Sequence, residues 1–224
     1  ALKIAQELGY AETKDPGDDV DGRDACRKIA ILSSLVCGHQ IYPQNIPTRG
    51  IRDITVADVA AAERLNCVIK LIAWMKRGDD GSVAAGVEPC LVPKSHQLAG
   101  VDDVFNAVLV KGDMLGDVVF YGKGAGELPT ASACVADVIE CLQEERHRPE
   151  IGWSADTGGF ASPLTLKNRW YFRVGTDTLP EALHSAKVLE QDTETAFITP
   201  PITGTDAERL AAYLPTLAKM RVLD

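Results

Sequence analysis

The chain has 224 residues, 46% of them hydrophobic and 25% charged, with a formal net charge of −9. That length can bury a core as one domain, or as one with a small appendage. No apolar run reaches the length of a membrane span, nothing resembles a signal peptide, and the negative charge without a basic stripe opposes nucleic acid.

The expected partner is therefore a small ligand or another protein. Six cysteines (Cys26, Cys37, Cys67, Cys90, Cys134 and Cys141) lie scattered without a CxxC pair. They read as reduced core residues of a cytoplasmic protein, not as a disulfide framework or a metal site.

Leu2, Ala5 and Leu8 recur at helical spacing before Gly9, so the chain begins inside a helix, as a fragment of something longer would. An acidic stretch follows. Residues 1 to 24 carry seven acids (Glu7, Glu12, Asp15, Asp18, Asp19, Asp21, Asp24) against three bases, a local charge of −4. "DPGDDVDGRD" lacks the frame of a calcium loop, so an ammonium group is the cation that the cluster suits better.

Ala25, Ile29, Leu32 and Leu35 mark a long helix ending near Gly38, and residues 55–67 a second one with Thr55 as N-cap. "VIKLIAWMK", "GVEPCLVP" and "FNAVLVKGD" read as strands, and residues 116–142 as strand, glycine loop and helix. On that last helix Ala131, Cys134, Val135, Val138, Ile139 and Leu142 form a wide apolar face of the kind that is usually buried.

Residues 144–167, rich in Gly, Pro and charge, read as a linker. Beyond them the pattern predicts βαβαβ over 168–224: "NRWYFRV" a strand, "LPEALHSAKVLEQ" a helix, "TAFITPPI" a strand, "DAERLAAYLPTLA" a helix and "KMRVLD" a strand. The class is α+β, a mixed sheet covered by helices with a small C-terminal subdomain. Trp153, Trp170 and Tyr171 read as packing residues.

Asp24 and Lys28 are spaced i,i+4 and share one helix face, so they can act on one small ligand or simply form a helix ion pair. "GKGAG" at 122–126 precedes a helix, but G-x-G-x-x-G fails because position 127 is Glu127. Taken alone it is a tight turn that needs small residues.

"AQELGYAE", "DVDGRDACRKIAIL", "GI..IT..D", "IKLIA", "HQLAGV", "NAVLVKGD" and "FYGKGAGELPTASACVADVI" follow one another across residues 1–143. In that order and spacing the sequence is similar to homoserine dehydrogenase. The resemblance implies NAD(P)-linked interconversion of L-homoserine and L-aspartate 4-semialdehyde, a step in threonine, methionine and isoleucine biosynthesis. It makes Lys28 the proton-transfer residue, places Tyr10, Glu12, Asp19 and Asp24 around homoserine, and gives Gly124 and Gly126 backbone contacts to the cofactor.

It also makes residues 1–143 a catalytic and dimerisation region of a homodimer. NAD(P) would be bound mainly by an N-terminal domain that precedes these residues in the family. Residues 168–224 are similar to a shortened ACT regulatory domain, with "GTDTLPEA" where an acidic residue and a glycine are usual. The competing expectation is a non-catalytic amino-acid-binding or regulatory module derived from that enzyme.

Overall fold

The computed structural model describes residues 2–7, 15–124, 126–143, 154–156, 159–175, 179–180, 183, 187–191 and 194–223. Two compact units alternate along the sequence: Ala1–Pro16 with Gln97–Ile151, and Gly17–His96 with Gly152–Asp224.

In the larger unit, helices α2 (Gly17–Val20), α3 (Arg23–Cys37) and α4 (Val56–Arg64) accompany strands β1 (Cys67–Arg77) and β2 (Val83–Pro93). The start of α3 is set by Gly22, whose left-handed φ of 76° and contact with Val87 leave no room for a side chain. Its end is set by Gly38, also left-handed at φ 73°, whose N–H reaches the Ser34 carbonyl. Thr55 caps α4: its hydroxyl accepts from the Asp58 backbone while the Asp58 carboxylate accepts from the Thr55 backbone.

The buried face of α3 is Cys26, Ile29 and Ala30, packed on Val83, Ala85 and Val87 of β2. Leu32 and Leu35, expected to face the core, are exposed instead. The small residues at 26 and 30 let the helix lie close to the sheet, and the core stripe runs through them.

The C-terminal part adds β5 (Lys167–Asn168), β6 (Trp170–Val174), β7 (Lys187–Gln191), β8 (Glu194–Ile198), β9 (Ile202–Thr203), helix α6 (Gly204–Tyr213) and β10 (Thr216–Val222). A six-stranded sheet forms in the order β1-β2-β10-β6-β8-β7. Only the β10–β2 neighbours are parallel; the other pairs are antiparallel. The sheet is mixed and flanked by helices, so the class is α+β.

Residues 187–191, expected as the end of a helix, are strand β7 instead. Most of the preceding stretch, 176–186, lies outside the described residues. Alternate residues of β6 feed two cores, Tyr171 with Ala62 and Leu91, and Trp170, Phe172 and Val174 with Ala207 and Leu214. Both aromatics at 170 and 171 are packing residues, while Trp153 lies outside the described residues. From the 144–167 connection, Ser154 bridges His39 and Phe160 bridges Val83.

The smaller unit holds α1 (Leu2–Glu7), the hairpin β3 (Phe105–Gly112) with β4 (Gly116–Lys123), and α5 (Glu127–Leu142). Val135, Val138, Ile139 and Leu142 of α5 are exposed. Cys134 and Cys141, expected in a core, are exposed on the same helix, whereas Cys26, Cys67 and Cys90 are buried.

Candidate active site

The turn between α2 and α3 gathers the acids that the sequence singled out. Gly17 is buried beneath it, and Cys26 N–H donates to the Gly22 carbonyl to open α3. Arg27 grips Asp18 with two hydrogen bonds of 2.8 and 3.2 Å. Arg23 donates to Asp21 at 3.0 Å, and Arg52 pairs with the same carboxylate. The hydrogen bond from Arg27 holds the Asp18 carboxyl below its ordinary range, and that from Arg52 does the same for Asp21.

Asp24 and Lys28 stand one helical turn apart with Lys28 Nζ 2.7 Å from Asp24 Oδ2. Their side chains are 46% and 63% exposed, so this pair faces outward from α3 while Cys26 and Ile29 face the sheet. Asp19 is exposed on α2. Lys28 and Asp24 on α3 and Asp19 on α2 thus belong to one unit. Tyr10 and Glu12 lie outside the described residues.

Gly124 and Gly126 belong to the other unit. The N–H of Gly124 donates to the Val104 carbonyl at 2.9 Å, and a β-carbon there would collide with the side chain of Asn106. Gly126 precedes α5 at φ 121°, and its carbonyl accepts from Thr130 N and Oγ1. Hairpin packing at 124 and a left-handed backbone at 126 account for both glycines.

Sequence reasoning missed Arg27 and Arg52, two of the arginines that fix the acidic turn. Arg27 is nine residues from Asp18, and Arg52 is thirty-one residues from Asp21. Neither separation matches a local side-chain rule, so only the fold brings them together. His96 closes a turn, its N–H donating to the Pro93 carbonyl. Among the described residues no three His, Cys, Asp or Glu side chains converge as metal ligands, and no helix is long and apolar enough to cross a membrane.

Residues 1–139 match the profile of the homoserine dehydrogenase family. The chain belongs to that family.

It is 42% identical over 180 residues to the homoserine dehydrogenase of Lactococcus lactis subsp. lactis, a match that covers 79% of this chain and 41% of that protein. It is 51% identical over 144 residues to that of Synechocystis sp., covering 63% of this chain and 33% of that protein. The chain therefore spans well under half the length of these relatives. The homoserine dehydrogenase structure from Thiobacillus denitrificans superposes on the whole chain with a TM-score of 0.82 at 30% identity, using 57% of that chain. The Staphylococcus aureus homoserine dehydrogenase at pH 6.5 gives 0.78 at 30% identity and likewise covers this chain fully.

Proposed function

We propose that the chain supplies the substrate-binding and proton-transfer groups of an NAD(P)-dependent homoserine dehydrogenase, acting between L-homoserine and L-aspartate 4-semialdehyde. The observation that carries this reading is the outward-facing Asp24–Lys28 pair, 2.7 Å apart, beside a turn whose neighbouring carboxylates Asp18 and Asp21 are held by arginines. Homoserine bears its ammonium and reacting hydroxyl on a short carbon chain. Asp24 and Glu12 would hold the ammonium end, with Asp19 and Tyr10 also around the homoserine, leaving Lys28 to reach the hydroxyl oxygen.

In the reducing direction the Lys28 ammonium gives a proton to the forming alkoxide. In the oxidising direction the Lys28 amine, or a water beside it, takes that proton. As a helix ornament alone the exposed pair would be worth only about 0.3–0.5 kcal/mol, so loss of Lys28 separates the two roles cleanly.

The described residues do not fit a dinucleotide diphosphate by themselves. Glu127 sets a carboxylate in the first turn of α5, where a phosphate would need positive charge. The space around Gly124 is taken by Asn106. NAD(P) would be held mainly by an N-terminal nucleotide-binding domain of the kind the resemblance implies, and would supply the hydride chemistry.

The same proposal takes residues 1–143 as the catalytic and dimerisation region, 144–167 as the connection and 168–224 as an ACT-like tail. Within the tail the sheet order β10-β6-β8-β7 is antiparallel throughout and α6 packs on one face, which supports that likeness. A homodimer in the cytoplasm completes the reading.

The test is homoserine-dependent reduction of NAD⁺ or NADP⁺ by the protein as the cell makes it, compared with Lys28→Ala. Turnover that depends on homoserine and collapses in the variant supports the proposal. Homoserine binding without turnover would favour the amino-acid-binding module.

A further inference from the structure

The segment Pro47–Asp58 touches the acidic turn and the C-terminal strands at alternating points. Toward the turn, Ile51 N–H donates to the Val20 carbonyl at 2.8 Å and Arg52 pairs with Asp21. Gly50 lies so close to Val20 and Asp21 that a β-carbon would strike their backbone. Val20 and Asp21 stand between Asp19 and Asp24 in the chain, so whatever holds them also sets those two carboxylates.

Toward the tail, Arg49 Nη2 donates to the Lys219 carbonyl of β10 at 2.6 Å. At the far end of the segment, Arg173 of β6 donates through Nε to Asp58 Oδ1 at 2.9 Å and through Nη2 to Thr55 Oγ1 at 3.2 Å. A third bond of 2.7 Å joins Arg173 Nη1 to Glu194 of β8. Asp58 is fully buried and Arg173 nearly so, so this end of the segment is fixed by a desolvated, fully bonded charge pair with little freedom to shift. The backbone of the segment is also tied to β2, with Arg49 N–H donating to the Val87 carbonyl at 2.8 Å and Val87 N–H to the Pro47 carbonyl at 3.0 Å.

We propose that Arg49 and Arg173 are positioning residues for the substrate site: through residues 49–58 they set the α2–α3 turn, and with it Asp19 and Asp24, from the C-terminal strands. The tail thereby acts on the substrate site as a structural support. Arg49 carries the shorter path, because its side chain holds β10 while the next three residues hold the turn. Arg173 fixes the other end, where the cap of α4 would otherwise be free to pivot. This inference rests on the reading of Asp24 as a homoserine ligand.

The test is steady-state homoserine oxidation by the protein as the cell makes it, with thermal melts alongside. Arg49→Met removes the bond to β10 at a half-exposed position. It is expected to raise KM for homoserine by roughly 2- to 30-fold, the range for couplings carried through a packed network, with kcat and the melting midpoint near those of the parent. Arg49→Lys, which can still donate to the Lys219 carbonyl, recovers most of the KM.

In an Asp24→Asn background Arg49→Met should raise KM by less than it does alone, because part of its effect runs through Asp24. Arg173→Lys, which retains a charge beside Asp58, should raise KM in the same direction. If it does not fold, Arg52→Gln on the protein surface reads the same path. A changed melting midpoint with unchanged KM in Arg49→Met overturns the inference and leaves an ordinary structural contact. An unchanged KM in Asp24→Asn alone overturns the substrate-site reading and this inference with it.

Discussion

Gly50 lies against the carbonyl of Val20 with no space for a β-carbon, and the next residue, Ile51, donates its N–H to that same oxygen at 2.8 Å. The clash would be with backbone, which cannot swing away as a side-chain tip can. Gly50→Ala is therefore expected to destabilise the fold by about 1–3 kcal/mol, the usual range for overpacking. Urea unfolding of the two proteins checks this; an unchanged midpoint would mean that the 49–52 segment yields more easily than its contacts imply.

Lys28→Ala should leave the melting midpoint almost unchanged, since the side chain is 63% exposed and its ion pair with Asp24 lies on the helix surface. Turnover should fall by about 10²- to 10⁴-fold, the usual contribution of a positioned proton-transfer group. Single-turnover kinetics on the variant decide the matter, and near-normal chemistry would remove Lys28 from the mechanism.

Asp24→Asn and Glu12→Gln should each weaken homoserine binding, because each replaces a charge-assisted bond to the ammonium by a neutral one. A hydroxy acid of the same length without the amino group should show no such loss. Equal losses for both compounds would assign the carboxylates to holding the turn.

The long helices were legible because their ends carry local chemistry. Gly38 stops α3, and Thr55 with Asp58 opens α4, as the spacing predicts. Strand β7 was not legible. "LPEALHSAKVLEQ" has Leu, Ala and Glu at helical intervals, and its second half becomes a strand only because β8 offers an edge, with Lys187 opposite Phe197 and Gln191 opposite Glu194. In the candidate site, Asp24 and Lys28 could be paired from their spacing alone. Arg173 could not be joined to Asp58, because 115 residues separate them and no short-range pattern records the bond.

Asp58 adds a pH dependence with a definite sign. Burial alone would raise its carboxyl, but the hydrogen bonds from Arg173 and Thr55 outweigh burial and hold it below the ordinary carboxylate range. A pKa lowered by folding stabilises the native state above the unfolded-state value, about 3.9 for Asp, and that contribution is lost as pH falls through the lower, folded value. Melting midpoints followed from neutral pH downward should thus drop more steeply for the parent than for Asp58→Asn in the acid range. At neutral pH the variant should be the less stable protein. Parallel acid limbs would show that the charge at Asp58 does not govern this transition.

Strand β10, last in sequence order among the described strands, is the third of six in the sheet, with β2 on one side and β6 on the other. Its seven residues must have left the ribosome before the two halves of the sheet can meet. Until then β2 and β6 each present an open hydrogen-bonding edge from a buried, apolar strand, the kind of edge that pairs with whatever neighbouring chain it encounters. Any copy in which β10 has not yet docked would thus carry two sticky half-sheets, β1-β2 and β6-β8-β7, and needs protection from its neighbours until that one strand is in place.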